Sequence, residues 1–456
     1  MKLENVKYCY LLGIGGIGMS ALARYFHANG IKVAGYDKTP STLTNALQEE
    51  GISVSFEDQG EDVATISYSK EETLIIYTPA IPEPHGELQF FKTNNYVLKK
   101  RAEVLGMITR HQKSFAVAGT HGKTTTSAML AHVFRATDFG CNAFLGGVSS
   151  NYDTNLLLDA SSENCVVEAD EFDRSFLQLS PHASIVTSTD ADHLDIYGEA
   201  KALKDAFQDF ARLINKNGYL LIHHSIDLGS ACPQISYGIS ENSNAGIAIR
   251  GYNLRYKNER FLIDIEAFGQ VHNEIEIGIP GTHNAENALA VIGVALQENI
   301  PFDKITESLA SFKGVKRRFE FMLKSDSIVY IDDYAHHPTA IRFLLESVRL
   351  MYPGRKITGV FQPHLFSRTK DFMDDFAKEL SGLDEVILLP IYPARELPIP
   401  GITSEVLLHK ITSEKKQLLV PDELINYLIS FKEGVLLTIG AGDIDRLVEP
   451  IKSNLL

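Results

Sequence analysis

The sequence predicts an α/β protein built as three domains in series, and three stretches carry that prediction. "YCYLLGIGGIGMSALARYF" (8–26) and "SFAVAGTHGKTTTSAMLAHVF" (114–134) each run from an apolar segment of strand length through a glycine turn into helical spacing. The third, the charged "GVKRRFE" (314–320), reads as a linker before four more apolar runs, each followed by a loop and helical spacing. Apolar strands that alternate with helical patterns imply parallel sheets with helices on their faces. A chain of 456 residues is long enough for two to four domains with full cores.

The first domain is expected over 1–107, with strands at "KVAGYD" (32–37) and "TLIIYTPA" (73–80). Gly13, Gly15 and Gly18 satisfy G-x-G-x-x-G, and Asp37 lies about twenty residues on, where a ribose-binding acid belongs. Physically the spacing requires only a tight turn, a close approach of backbone to an anion, and a helix N-terminus aimed at it. A nicotinamide dinucleotide meets that requirement, and so does any other phosphorylated nucleotide.

The second domain, 108–314, continues through "NCVVEADE", "ASIVTSTDADHLD" and "GYLLIH", apolar runs that end in polar residues. Its opening loop holds Gly119, Thr120, His121, Gly122, Lys123, Thr124 and Thr125. Gly122-Lys123-Thr124 reproduces the end of a P-loop, in which backbone N–H groups surround phosphates, the lysine reaches the β- and γ-oxygens, and the hydroxyl ligates Mg2+. Val117 stands where the common P-loop has its first glycine, so this is a variant of the pattern. The bland alternative is a glycine turn with an incidental lysine.

Magnesium on a triphosphate needs hard oxygen ligands, and Glu168 at a strand's C-terminal end is the candidate. Asp170 and Glu171 read as supporting or helix-capping acids. His193 and the neighbouring Asp190 and Asp192 end the next strand at the edge where ligands of open α/β sheets collect. His193 has an ordinary reading too, as a hydrogen-bonded loop residue.

The third domain, 315–456, contains "IVYIDDYAHHPT", "KITGVFQPH", "EVILLPIY" and "GVLLTIGAGD". A formal charge of -15 argues against nonspecific nucleic-acid binding, because a phosphate backbone would be repelled. Cys9, Cys141, Cys165 and Cys232 have no C-x-x-C spacing and read as reduced packing residues. The N-terminal apolar run is too short for a secretory segment, and no later stretch reaches bilayer-spanning length, which together point to the cytoplasm and to no membrane partner.

In order along the chain, "GTHGKTTT", "VVEADEFDRSF", "DADHLDIYG", "GTHNAENALA", "GVKRRFE", "DDYAHHPT", "QPHLFSRT" and "IGAGDI" resemble the bacterial Mur ligases over almost the whole length. The P-loop variant is shared across that superfamily, including folylpolyglutamate synthetases. "DDYAHHPT" followed by "QPHLFSRT" is narrower and resembles the alanine-adding member. The resemblance implies a Rossmann-like domain for a UDP-sugar, a central P-loop ATPase domain and a C-terminal Rossmann-like domain for the amino acid. It implies ATP and Mg2+ as cofactors, and UDP-N-acetylmuramate and L-alanine as small-molecule substrates.

Roles follow residue by residue from the same resemblance. Gly15, Gly16, Ile17 and Gly18 would cradle the diphosphate, Asp37 would meet uridine or ribose, and Thr78 and Ala80 in "TPAIP" belong to a second loop beside it. Lys123 and Thr124 would bind ATP and metal, with Glu168 and His193 completing the metal sites. His283, Asn284 and Asn287 would approach adenine or the phosphates, and Arg318 and Asp333 would reach the nucleotide from the third domain. His336, His337, His364 and Arg368 form the alanine-side group, where the planar fork of Arg368 suits a carboxylate. His336 and His337 could instead simply end a strand and start a helix at Pro338. Leu365 departs from the family pattern, since many relatives have Arg there, and no lysine presents itself as the carbamylated residue several relatives use. Rival readings are a nicotinamide dehydrogenase, a P-loop NTPase without ligase activity, and a ligase that attaches a preformed peptide to the same sugar nucleotide. Oligomeric state is not readable from these residues.

Overall fold

The structure, a computed structural model, describes residues 3–65, 69–190, 197, 199–394 and 396–456. The chain divides into two compact units. The first comprises Met1–Arg250, Glu266–Val271 and Asn287–Leu309; the second comprises Gly251–Ile265, His272–Glu286 and Ala310–Leu456.

Five strands open the first unit: β1 (Tyr8–Leu12), β2 (Lys32–Tyr36), β3 (Ser53–Ser55), β4 (Thr73–Tyr77) and β5 (Val97–Lys100). They form a sheet in the order β3-β2-β1-β4-β5, every pair parallel. The apolar run of β1 is buried along its whole length, as a central parallel strand covered on both faces must be. The chain then turns at Gly13, whose φ of +86° suits glycine, and enters the helix Ile17–Ala28.

A second sheet follows from β6 (Lys113–Ala118), β7 (Asn142–Ser149), β8 (Thr154–Leu157), β9 (Asn164–Glu168), β10 (Ala183–Val186), β11 (Tyr219–His223) and β12 (Gln234–Ile239). Their order is β12-β11-β10-β6-β9-β7-β8, with only the β7/β8 pair antiparallel. The order continues through β13 (Ile249–Lys257), β14 (Arg260–Ala267) and β15 (Gln270–Ile277), strands through which the division of the two units runs. These three are not among the expected elements, because they carry no motif and interrupt the strand-helix alternation.

The first two expected domains share one hydrophobic core. Leu11, Leu22 and Phe26 belong to the same buried cluster as Ala116, Phe144 and Val167. The Tyr25 and Phe144 rings lie 5.5 Å apart. Asn155 Nδ2 donates to the Ile17 carbonyl at 2.6 Å and to Ser20 Oγ at 2.9 Å. The helix after the first glycine turn therefore serves two sheets, which its local spacing does not reveal.

The second unit contains β16 (Glu320–Lys324), β17 (Ile328–Asp333), β18 (Ile357–Phe361), β19 (Glu385–Leu388), β20 (Lys415–Leu418) and β21 (Gly434–Ile439). They make a six-stranded sheet in the order β16-β17-β21-β18-β19-β20, parallel except for the β16/β17 edge pair. Its α/β expectation is met. All four cysteines are buried and unbridged, as packing residues should be. Among the described residues no helix is long and apolar enough to cross a membrane.

Candidate active site

The first glycine loop is held from its own side of the sheet. Gly15 N–H donates to Asp37 Oδ2 at 2.8 Å, and a β-carbon at Gly15 would meet that oxygen at 2.9 Å. Asp37 thus braces the loop. Thr78 closes the loop's other flank: a β-carbon on Gly13 would stand 2.7 Å from its methyl group. The "TPAIP" segment is therefore beside the glycine loop, with Ala80 N–H donating to Thr78 Oγ1 at 3.3 Å. Gly16 caps the helix that begins at Ile17 and turns its own N–H back to the Gly13 carbonyl at 3.2 Å, so Ile17 and Gly18 place their backbone N–H groups at a helix N-terminus, the arrangement an anion needs.

The second loop has the geometry of a P-loop. Gly122, with φ +81°, is the cap of the helix Lys123–Ala136, and a side chain there would collide with Asn287, whose Oδ1 lies 2.8 Å from the β-carbon position. Asn287 is therefore placed directly on the loop. Thr120 Oγ1 pairs with Ser188 Oγ at 2.9 Å, and His121 N–H donates to the same hydroxyl at 2.8 Å. Thr124 and Thr125 are both buried at the helix start.

Lys123 is where the structure adds most. Its Nζ donates to the Gly119 carbonyl at 2.7 Å and to both oxygens of Glu171, at 2.8 and 2.7 Å. Glu171 is fully buried and the lysine nearly so. Burial disfavours both charges, but the carboxylates of Glu171, Asp170 and Glu168 hold the lysine pKa above its ordinary value. Glu171 makes no side-chain cap bond to the following helical turn, and its carboxylate pairs with the P-loop lysine. Tyr197 fixes the same loop by donating to the Glu171 carbonyl at 2.6 Å.

Glu168 ends β9 with its carboxylate packed over Gly146 of β7, where a β-carbon would stand 2.1 Å from Oε2. Together with the Thr124 hydroxyl it provides hard oxygen donors of the kind Mg2+ takes. Among the described residues no group of three or more His, Cys, Asp or Glu is arranged as a metal cage. His193 and Asp192 lie outside the described residues. Asp190 is exposed, 3.7 Å from His121 Nε2.

In the second unit, burial pushes the His283 imidazole down to about 4, with Arg318 acting in the same direction, and the ring stacks on Phe343 at 5.5 Å. A neutral His283 is the consequence. Asn284 Nδ2 donates to the Pro280 carbonyl at 2.6 Å. Asp333 accepts the Phe319 and Ala335 N–H groups, each at 2.7 Å, and burial raises its carboxyl to about 6 against the pull of Arg318. The flanking Arg317 and Phe319 have φ of +63° and +49°, so this carboxylate clamps a bent segment around Arg318.

The expected alanine-side group is brought together in part. His336, His364 and Arg368 form a ladder with two tyrosines that sequence reasoning missed. The Tyr334 ring lies 5.2 Å from His336, and His336 lies 6.3 Å from His364. His364 stacks on Tyr392 at 5.7 Å, and its Nδ1 is 3.4 Å from Arg368 Nη1. His336 donates its Nδ1–H to the Tyr334 carbonyl at 2.9 Å, which fixes its ring. His337 goes elsewhere. It caps the helix Pro338–Met351, accepting the Thr339 N–H at 3.3 Å, while its ring packs on Phe372 at 4.7 Å. His337 thus stands as the cap of this helix, where the proline behind it places a cap.

Comparison with known proteins agrees with these two loops. Residues 9–113 match the Mur ligase family catalytic domain, 117–295 the Mur ligase middle domain, and 317–442 the Mur ligase glutamate ligase domain. The chain is 47% identical over 455 residues to a UDP-N-acetylmuramate-L-alanine ligase of Flavobacterium johnsoniae, covering 100% of this chain and 99% of that protein. It is likewise 47% identical over 455 residues to one from Porphyromonas gingivalis, covering 99% of each. A solved UDP-N-acetylmuramate-alanine ligase of Thermotoga maritima superposes with a TM-score of 0.83 at 27% identity, over 98% of both chains. The fold is also that of a murein peptide ligase from Psychrobacter arcticus, with a TM-score of 0.70 at 21% identity over 98% of this chain and 99% of that one. The glycine loop braced by Asp37, the P-loop lysine and a match that runs the length of the chain lead to one conclusion: this protein belongs to the Mur ligase family.

Proposed function

We propose that this protein joins L-alanine to the lactyl carboxylate of UDP-N-acetylmuramate at the expense of ATP, releasing ADP and phosphate, in the cytoplasmic assembly of peptidoglycan precursors. The observation that carries the reading is the presence of two strand-glycine turn-helix loops in one compact unit, at Gly13–Gly18 and at Gly119–Thr125. A dehydrogenase would need only the first. A ligase that activates a nucleotide-sugar acid needs both, one for the handle of its acceptor and one for ATP.

A carboxylate reacts poorly with an amine until one of its oxygens is turned into a leaving group. An oxygen of the lactyl carboxylate attacks the γ-phosphorus, the bond to the β-phosphate oxygen breaks, and ADP leaves an acyl phosphate behind. The neutral amine of alanine then attacks the acyl carbon, loses a proton, and expels phosphate. Lys123 and the loop N–H groups stabilise negative charge as the phosphoryl group moves. Thr124, Glu168 and His193 are the residues we assign to Mg2+, which when bound supplies further charge neutralisation on the phosphates. Asn287 lines the nucleotide loop, and Arg318, Asp333, His283 and Asn284 are the further residues we assign to the nucleotide. Arg368 receives the alanine carboxylate, with His336 and His364 beside it.

Two measurements test the reading. With oxygen-18 in the muramate carboxylate, the released phosphate must carry one labelled oxygen, since amine attack expels phosphate together with that atom. Unlabelled phosphate accompanying stoichiometric amide formation would remove the acyl phosphate route. Thermal unfolding is also expected to move upward with UDP-N-acetylmuramate and not with NAD or NADP, because a ligand of the folded state adds RT ln(1 + [L]/Kd). A comparable shift with NADH would restore the dehydrogenase reading. Phosphate release assayed with alanine, other amino acids and a murein peptide in turn identifies the amine substrate.

A further inference from the structure

The two segments at the acceptor site, Gly13–Gly18 and Thr78–Pro82, contain no basic residue, so within them a diphosphate would meet no side-chain cation. One cation nevertheless lies across the glycine loop. Arg101, first residue of the helix Arg101–Thr109 at the end of β5, has its guanidinium against Gly18: a β-carbon there would stand 2.7 Å from Nη1 and 3.1 Å from Cδ. Among the described residues its other arm meets Asp170, Nη2 to Oδ2 at 3.4 Å, with the two side chains 24% and 34% exposed. Asp170 in turn neighbours Glu171, which holds Lys123. The adjacent Lys100 reaches the same acidic loop through Asp173, at 3.1 Å.

We propose that Arg101 is a ligand for the acceptor's phosphates with two alternative partners: Asp170 while the site is empty, and the diphosphate once it is filled. The inference rests on the reading that the glycine loop receives a UDP-sugar. Magnitudes decide which partner wins. A long, one-armed, partly exposed ion pair is a weak competitor. A diphosphate offers more negative charge and a geometry that both arms of the fork can meet in parallel. Arg101 sits at the loop already, so the exchange needs a side-chain movement and no new fold. Release from Arg101 also changes the charge that Asp170 presents beside the P-loop lysine, giving acceptor binding a direct route to the loop that handles ATP. Asp170 Oδ1 keeps a separate bond from the Phe172 N–H at 3.1 Å, so an asparagine can hold the turn while weakening the hold on Arg101.

The test is titration of the full chain with UDP and, separately, with uridine, which lacks the phosphates. Arg101→Ala is expected to weaken UDP binding about tenfold or more while leaving uridine within about twofold, and Arg101→Lys to fall between. Asp170→Asn is expected to act in the opposite direction, tightening UDP about two- to fivefold because the rival partner is gone. A simple brace between the two segments predicts that both substitutions weaken binding, of uridine as well as UDP, and that result would overturn the proposal. An Asp170→Asn variant with unchanged UDP affinity would overturn the two-partner claim. Should Arg101→Ala fail to fold, Arg101→Lys decides, since unchanged UDP binding in that variant contradicts a two-armed phosphate contact. If UDP does not bind the unmodified chain, the glycine-loop reading falls and this inference with it. If it binds the unmodified chain and both Arg101 variants equally, the inference alone falls.

Discussion

Lys123→Ala is expected to lower turnover at saturating ATP about 10³-fold or more, roughly 4 kcal/mol of transition-state stabilisation. The lysine charge acts most strongly where negative charge develops, on the γ-phosphoryl group in flight, so kcat falls further than ATP affinity. The same substitution has a second effect that the structure makes specific. It leaves Glu171 fully buried without the ammonium that both of its oxygens contact, and an uncompensated buried charge costs on the order of 3–5 kcal/mol. The single variant should therefore be both inactive and less stable. Adding Glu171→Gln is expected to recover most of the lost thermal stability and none of the turnover. Steady-state rates and melting temperatures of the two variants separate these contributions, and near-normal amide formation by Lys123→Ala would be incompatible with a P-loop mechanism.

Arg368→Lys is expected to raise the Michaelis constant for alanine about 10- to 100-fold, with much smaller effects on ATP and UDP-N-acetylmuramate. Lysine keeps the charge but loses the parallel pair of N–H groups that receives a carboxylate. Alanine is so small that this one contact forms a large share of its binding. Arg368 is half-buried on the short helix Phe366–Asp371, with its Nη1 3.4 Å from His364, which limits how far a shorter-reaching ammonium can follow the substrate. An unchanged alanine saturation curve would make Arg368 an ordinary helix-start residue and move the carboxylate site to another cation. Initial rates with each substrate varied in turn read the split directly.

The strand-turn-helix starts were legible because each is written in contiguous residues. An apolar run, glycines at the turn and helical spacing specify local backbone whatever lies around it, and Gly13 and Gly122 do stand at positive φ where those turns require. The places of Lys123 at a helix start and of Glu168 at a strand end were legible for a related reason, since both follow from contiguous strand-loop-helix spacing. Two histidines show where that logic stops. His336 and His337 are neighbours, yet one turns toward Tyr334 and the other caps a helix against Phe372. Nothing in "YAHHPT" says which face each will take; the following proline marks a helix start, and the cap falls on the residue before it.

By itself, the sequence determined the α/β class, the two glycine turns and the family, because each depends on short spacings that fold locally. Only the tertiary structure decided what those loops touch. Lys123 meets Glu171 because β6 and β9 are neighbours in parallel register, although the two residues are far apart in the chain. Arg101 crosses Gly18 because β5 takes the edge place beyond β4, leaving the helix that follows facing the first glycine turn. The first sheet joins the second in one core because the helix Ile17–Ala28 buries side chains against both. Strand order sets such pairings, and strand order is a property of the whole packed chain: it is selected by the burial of many distant apolar residues at once, which no local spacing encodes.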